Sequence, residues 1–301
     1  MDKPQGTDMI VFWRRAAATA LVALSVTACG SLGGVGAPSW WPFGVHPDQA
    51  DATTALAVYD IGGMLAQVAP VINDALAMNL PSDVEPAARE HLHAAVRKAF
   101  DPTVLSNNAA RRLLARARAD ERGAALVQAA VKLDSPLPRR MVANEQAAAT
   151  EKFAQGFAEF LEQPVDPAGE PRMQKMRKLN DALELVALQI AFNVGMMRGM
   201  VAARNAVSSP TMETSQATLQ RMLDQTRQSL RPRLQQHLPV MLFYAHRKVS
   251  EEDLDTYLEM QTGPALRWLN AALPDVLQET LAAAAKRLRE QYRPLPGLKK
   301  E

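Results

Sequence analysis

The sequence predicts an all-α fold, a multi-helix bundle or array of helical hairpins, and three observations carry that expectation. From Ala52 onward the chain is rich in Ala, Leu, Gln, Glu, Arg and Met, which cost little in a helix, while Pro and Asp gather at intervals that read as joints. No stretch keeps the apolar and polar alternation that a half-buried strand requires. Residues 250–264 spell a helix start, a stop and a second start in succession.

Taken in order, residues 1–28 read as a lipoprotein signal peptide. Arg14 and Arg15 form the positive region, 16–26 the apolar run, and Thr27-Ala28 the small residues before the cut at Cys29. A spanning helix needs about 20 apolar residues, whereas the stretch between Arg15 and Gly30 is 14 long. Cys29 is the only cysteine in 301 residues, and an uncleaved signal would leave it unpaired in an oxidising compartment. Lipidation of Cys29 follows as the expectation, since several acyl chains anchor far better than one. Gly30, not Asp, comes next, which by resemblance to the sorting rule of Gram-negative lipoproteins points to the outer membrane with the body facing the periplasm.

Residues 29–51 read as a lipid-anchored tether, because Gly, Ser and Pro mix there without an apolar period. Within it, Trp40-Trp41-Pro42-Phe43 would either dock on the folded body as a latch or sit in the headgroup layer. The all-α domain is expected over 52–292, with helices at 53–69, 71–79, 85–99, 102–120, 122–133, 136–162, 172–206, 214–236, 238–247, 250–261 and 264–291. Joints fall at 79–83, 163–169 and 207–210, and 293–301 reads as a disordered tail. With no second cysteine, the fold must close on its own core, which a chain of this length with 48% hydrophobic residues can do.

The best-signed joint is the hairpin at 250–264. Ser250 suits an N-cap and Glu251, Glu252 and Asp253 suit a first turn, where acids meet free N–H groups and the positive end of the dipole. Leu254, Tyr257 and Leu258 then line one face. Gly263 closes the helix and Pro264 opens the next at the position where its missing N–H costs least. The second arm carries Leu266, Leu269, Leu273, Leu277 and Leu281.

This stretch, Val249-Ser250-Glu251-Glu252-Asp253-Leu254-Asp255-Thr256-Tyr257-Leu258 followed by Gly263-Pro264, resembles the bacterial domain-of-unknown-function family numbered 2059 over about 225–285. Met260 and Gln261 stand where that family has an aromatic pair, Gly263 replaces its Ser, and Leu266 stands where Gly is common. The resemblance implies a helical fold and no agreed activity. Leu133-Asp134-Ser135-Pro136 falls where a second, divergent copy of the unit would have its Ser-Pro element, which would divide the body into halves 52–165 and 170–292.

The central helix, expected to be continuous over 172–206, holds a stripe of small residues four apart: Ala187, Ala191, Gly195, Gly199 and Ala203. Such a stripe lets another backbone approach closely, and each glycine inside a helix costs about 1 kcal/mol relative to Ala. The compensating partner is either a neighbouring helix of the same chain or a second copy, so the stripe is a packing face or an oligomer seam. A membrane span is disfavoured by Glu184, Asn193, Arg198 and Arg204. Met196, Met197 and Met200 share this helix and fit either an ordinary core or an adaptable apolar groove for a lipid-like ligand.

Charge and motif content exclude several functions. The segment 1–28 carries Lys3, Arg14 and Arg15 against Asp2 and Asp8, so its removal takes the formal charge from +2 to +1. Basic and acidic residues intermix along the chain without a basic stripe, so nucleic acid is not an expected partner. His91 and His93 are two apart and point to opposite sides of a helix. His237 and His246 are nine apart with no acidic pair spaced to join them. Neither a phosphate loop nor a nucleophile elbow nor a zinc-helix motif is present, and no enzyme, cofactor or metal is expected. The sequence therefore predicts a periplasm-facing, lipid-anchored protein that acts as a non-catalytic interaction or scaffold module of the envelope, with a carrier of an apolar ligand as the alternative.

Overall fold

The computed structural model describes residues 48–80, 84–147, 151–162, 169–208 and 212–292, and every regular element among them is an α-helix. In chain order these are α1 (Gln49–Val58), α2 (Ile61–Ala66), α3 (Val68–Asn79), α4 (Pro86–Ala99), α5 (Pro102–Ala119), α6 (Gly123–Leu133), α7 (Pro136–Ala147), α8 (Glu151–Leu161), α9 (Glu170–Ala182), α10 (Leu185–Val207), α11 (Gln216–Ala245), α12 (Glu251–Thr262) and α13 (Pro264–Gln291). The all-α expectation holds. Cys29, Trp40, Trp41, most of the tether and the tail at 293–301 lie outside the described residues.

Several boundaries differ from the sequence reading, each for a local reason. The tether was expected to reach residue 51, but α1 starts at Gln49 because Asp48 and Asp51 form a capping box. Asp48 Oδ1 accepts from the Asp51 amide at 3.1 Å, and Asp51 Oδ2 accepts from the Asp48 amide at 2.9 Å. The helix expected over 53–69 is two helices, broken where Asp60 adopts a left-handed φ of 51° and accepts from the Gly63 amide at 3.2 Å. The helix expected at 71 begins at Val68.

The helix expected over 172–206 is also two, parted at Glu184 with φ of 52°. Its break is held from a distance, because Asn270 Nδ2 of α13 donates to the Ala182 carbonyl at 2.8 Å. Conversely, the two helices expected at 214–236 and 238–247 are one, α11, which absorbs Pro232 and Pro239.

At the centre, α10 lies against α13, the two running in the same direction. Asn270 reaches the carbonyl just before α10, and Leu281 faces Gly195 further along both. α11 returns antiparallel to α10: at the turn Asn205 and Thr214 exchange hydrogen bonds of 2.9 and 3.0 Å, and further on the Thr226 hydroxyl meets Met197 Sδ at 3.7 Å. α4, α5 and α6 pack on α13, α1 packs on α5 and α6, and α9 on α11 and α12. The main core draws on side chains from Ala52 to Leu288, so the two expected halves share one interior. A second cluster fills the α10–α11 interface around Val194 and Leu223. A third gathers Met141, Met176, Leu179, Leu242, Leu254 and Tyr257. By length and composition α10 could cross a membrane, with a mean hydropathy of 1.5, but 56% of its apolar 18-residue stretch is buried inside this bundle.

Candidate functional site

Where the two broken helices face each other the bundle leaves a cavity of about 150 Å³. Leu185, Leu188 and Phe192 of α10, Leu238, Met241 and Leu242 of α11, and Met64, Val142 and Leu273 supply its apolar walls. Tyr59, Asp60, Glu145, Gln146, Gln189 and Asn270 place polar groups around it. Both left-handed breaks adjoin this space: Asp60 lines it, and Leu185, the first residue after Glu184, lines it too. A void with apolar walls and a few converging polar atoms is the usual form of a small-molecule site.

The polar side is a network drawn from three separate parts of the chain. The Tyr59 hydroxyl lies 2.8 Å from Asn270 Oδ1 and 2.9 Å from Gln261 Oε1, and its single proton serves one of them at a time. Asn270 Nδ2 donates both to the Ala182 carbonyl and, at 3.1 Å, to Gln261 Oε1. Gln261 Nε2 and the Tyr257 hydroxyl are buried and face each other without a well-formed hydrogen bond among the described residues. Beside this network, Glu145 Oε1 meets Nε2 of the fully buried His246 at 3.0 Å, while Arg172 donates to the His246 carbonyl at 2.6 Å.

Titration of these groups follows from burial. Desolvation pushes the Tyr59 hydroxyl well above its ordinary value, against the opposing hydrogen bond to Gln261, and the nearby Glu145 charge pushes the same way. Tyr257 is raised for the same first reason, with Glu145 and Tyr59 adding to it and the Gln261 side chain opposing. Desolvation also raises the Asp60 carboxyl, with hydrogen bonds from the Gly63 amide and from Gln146 opposing. Both tyrosines therefore stay neutral at physiological pH, as hydrogen-bonding groups and not as bases. Among the described residues no group of three or more His, Cys, Asp or Glu is placed to hold a metal ion.

The residues singled out in the sequence fall elsewhere. Ser250 Oγ accepts from the Asp253 amide at 3.1 Å, Gly263 ends α12, and Pro264 is the first residue of α13. The acids after Ser250 also pair outward: Glu251 Oε2 meets Lys175 Nζ at 2.7 Å, Glu251 Oε1 bonds Arg172, and Asp253 meets Arg140 at 2.7 Å. In the small-residue stripe, Ala191, Gly195, Gly199 and Ala203 are buried and Ala187 is half-buried. Gly195 faces Leu281, and Gly199 faces Ile72 and Phe100, so both glycines are covered by their own chain. His93 Nδ1 lies 2.9 Å from Asn73 Oδ1, and the His91 ring packs against Tyr292 at 5.2 Å. His246, for which the sequence offered no acidic partner at short spacing, is joined by Glu145 from 101 residues upstream.

None of the cavity's polar residues was named from sequence. Two signals stood there: Asp60 is followed by Gly62-Gly63, a breaker pattern inside an apparent helix, and Asn270 sits within the leucine stripe of α13, where a polar residue is out of place. Comparison with known proteins finds no family model, no curated protein and no solved structure that matches this chain.

Proposed function

We propose that this chain is a lipid-anchored, periplasm-facing helical protein of the cell envelope that acts by binding, and that its interhelical cavity holds an apolar, lipid-like ligand. The observation that carries the reading is the cavity itself. Its walls are Leu, Met, Val and Phe side chains, and its volume of about 150 Å³ is that of an apolar void that takes up a molecule such as benzene. The enclosed part thus has room for a ring or a short length of acyl chain, with the remainder of a longer ligand leaving through the mouth. Neutral Tyr59, Asn270 and Gln189 at its edge suit one uncharged hydrogen-bonding group on that ligand. The anchor rests on the lipobox ending at Cys29 and on Gly30 after it. Outer-membrane placement is part of the proposal.

Native mass spectrometry of the full chain released from membranes tests the ligand. A co-purifying small molecule in the parent chain, lost when Leu188→Trp fills the cavity, is the expected result. No bound mass in the parent, together with a stable protein partner in a pull-down from solubilised envelopes, returns the reading to an interaction or scaffold module.

A further inference from the structure

Asp60 brings a carboxylate to the cavity without a counter-charge. It stands half-buried at the break before α2, where its Oδ1 accepts from the Gly63 amide at 3.2 Å and Gln146, another residue of the cavity wall, is its second hydrogen-bond partner. Gly63 is what leaves room for this carboxylate, since a Cβ added there would stand 2.7 Å from the Asp60 Cγ. Both partners are neutral. Among the described residues no Lys, Arg or His pairs with Asp60, and no positive charge opposes the desolvation that raises its carboxyl.

The rest of the wall does not supply the missing charge. Of the described residues that line the cavity, Asp60 and Glu145 carry carboxylates and none is Lys, Arg or His. Glu145 is taken up by His246 Nε2 at 3.0 Å, which leaves Asp60 as the unmatched acid. Asp60, Gln146 and Gln189 are half-buried whereas Val142, Phe192 and Leu273 are buried, so the polar groups form the rim and the apolar side chains the interior. A carboxylate or phosphate on a ligand would meet two acids and no cation at this rim. An alcohol would find hydrogen-bonding groups but leave the charge of Asp60 unanswered. A protonated amine supplies both the N–H donors and the charge, and hydrogen bonds between two charged groups are about twice as strong as those between neutral ones.

We propose that the ligand of this cavity is an apolar amine, whose ring or short chain fills the interior while its protonated nitrogen meets the Asp60 carboxylate at the rim. The inference rests on the reading of the cavity as a ligand site and adds the chemistry of the ligand's polar end. The test uses the full chain and three probes that share one short apolar chain and differ at the head: hexylamine, hexanol and hexanoate. Ligand-observed NMR titration reads affinity, and circular dichroism checks that each variant folds. Hexylamine is expected to bind about tenfold or more tightly than hexanol, with hexanoate the weakest. Asp60→Asn keeps an acceptor for the Gly63 amide and removes the charge, so it should weaken hexylamine about tenfold and leave hexanol within about twofold. Leu188→Trp, which fills the interior, should weaken all three. Equal binding of hexylamine and hexanol, tighter binding of hexanoate, or a preference for the amine that survives in folded Asp60→Asn overturns the amine and leaves the apolar cavity standing. The ranking in the parent chain decides the matter even if Asp60→Asn does not fold. If none of the three binds, the cavity is not a ligand site and both readings fall.

Discussion

Gly195 is built against Leu281: a Cβ added at the glycine would stand 2.6 Å from the Leu281 Cβ. The leucine atom is at the root of its side chain, so it moves only if α13 moves. Helix propensity favours Gly195→Ala by about 1 kcal/mol, yet overpacking a close interior contact costs about 1–3 kcal/mol. Gly195→Ala is therefore expected to lower stability, and Gly195→Leu to lower it further. Both should leave the molecular mass by light scattering as in the parent, because the contact lies within one chain. A stable Gly195→Leu protein with altered mass would mean that the face meets a second copy.

The hairpin at α12 and α13 separates cap from core. Ser250→Ala removes one acceptor for the Asp253 amide and should cost about 1 kcal/mol. Leu269 and Leu273 are 0% and 4% exposed, and truncating either to Ala should cost about 2–5 kcal/mol. Denaturant midpoints should fall less for Ser250→Ala than for either leucine variant, and equal losses in all three would contradict the packing of α13.

At the cavity, Asp60 makes the pH dependence specific. Its folded pKa lies above the model-peptide value of 3.8, so between the two values the native state holds the proton that the unfolded chain releases. Stability from this group is fully present below the unfolded value and is lost as pH rises through the folded value. Asp60→Asn keeps an acceptor for the Gly63 amide and suits the left-handed backbone. The substitution should stabilise the protein at neutral pH and have little effect below the unfolded value. Denaturation midpoints at the two pH values check this, and a neutral-pH loss would show that the ionised carboxylate is favoured in the fold.

Glu145 and His246 should behave as a pair between a buried ring and a partly exposed carboxylate. Glu145→Ala leaves Nε2 of a fully buried ring without its partner, which should cost about 1–3 kcal/mol. Glu145→Gln, which retains a hydrogen-bonding group there, should cost less. Urea unfolding of the two variants distinguishes a hydrogen-bonding role from simple packing.

Cys29→Ser should abolish labelling by a palmitate analogue and leave an unprocessed precursor. Metabolic labelling measures this directly, and label that survives the substitution would remove the basis for the anchor.

Helix content, the hairpin at 250–264 and the leucine face of α13 were legible because each depends on neighbours three or four residues away, where capping and helical periodicity operate. Gly195 and Gly199 were also visible as small residues, although their partners Leu281, Ile72 and Phe100 were not. Tertiary structure alone decided the cavity. It requires α1 and α2 to part at Asp60, α9 and α10 to part at Glu184, and Asn270 to donate to the Ala182 carbonyl from 88 residues away. Tyr59 meets Asn270 across 211 residues and His246 meets Glu145 across 101. No local pattern encodes such pairs, because what selects them is the cost of burying an unpaired polar group once the helices have closed.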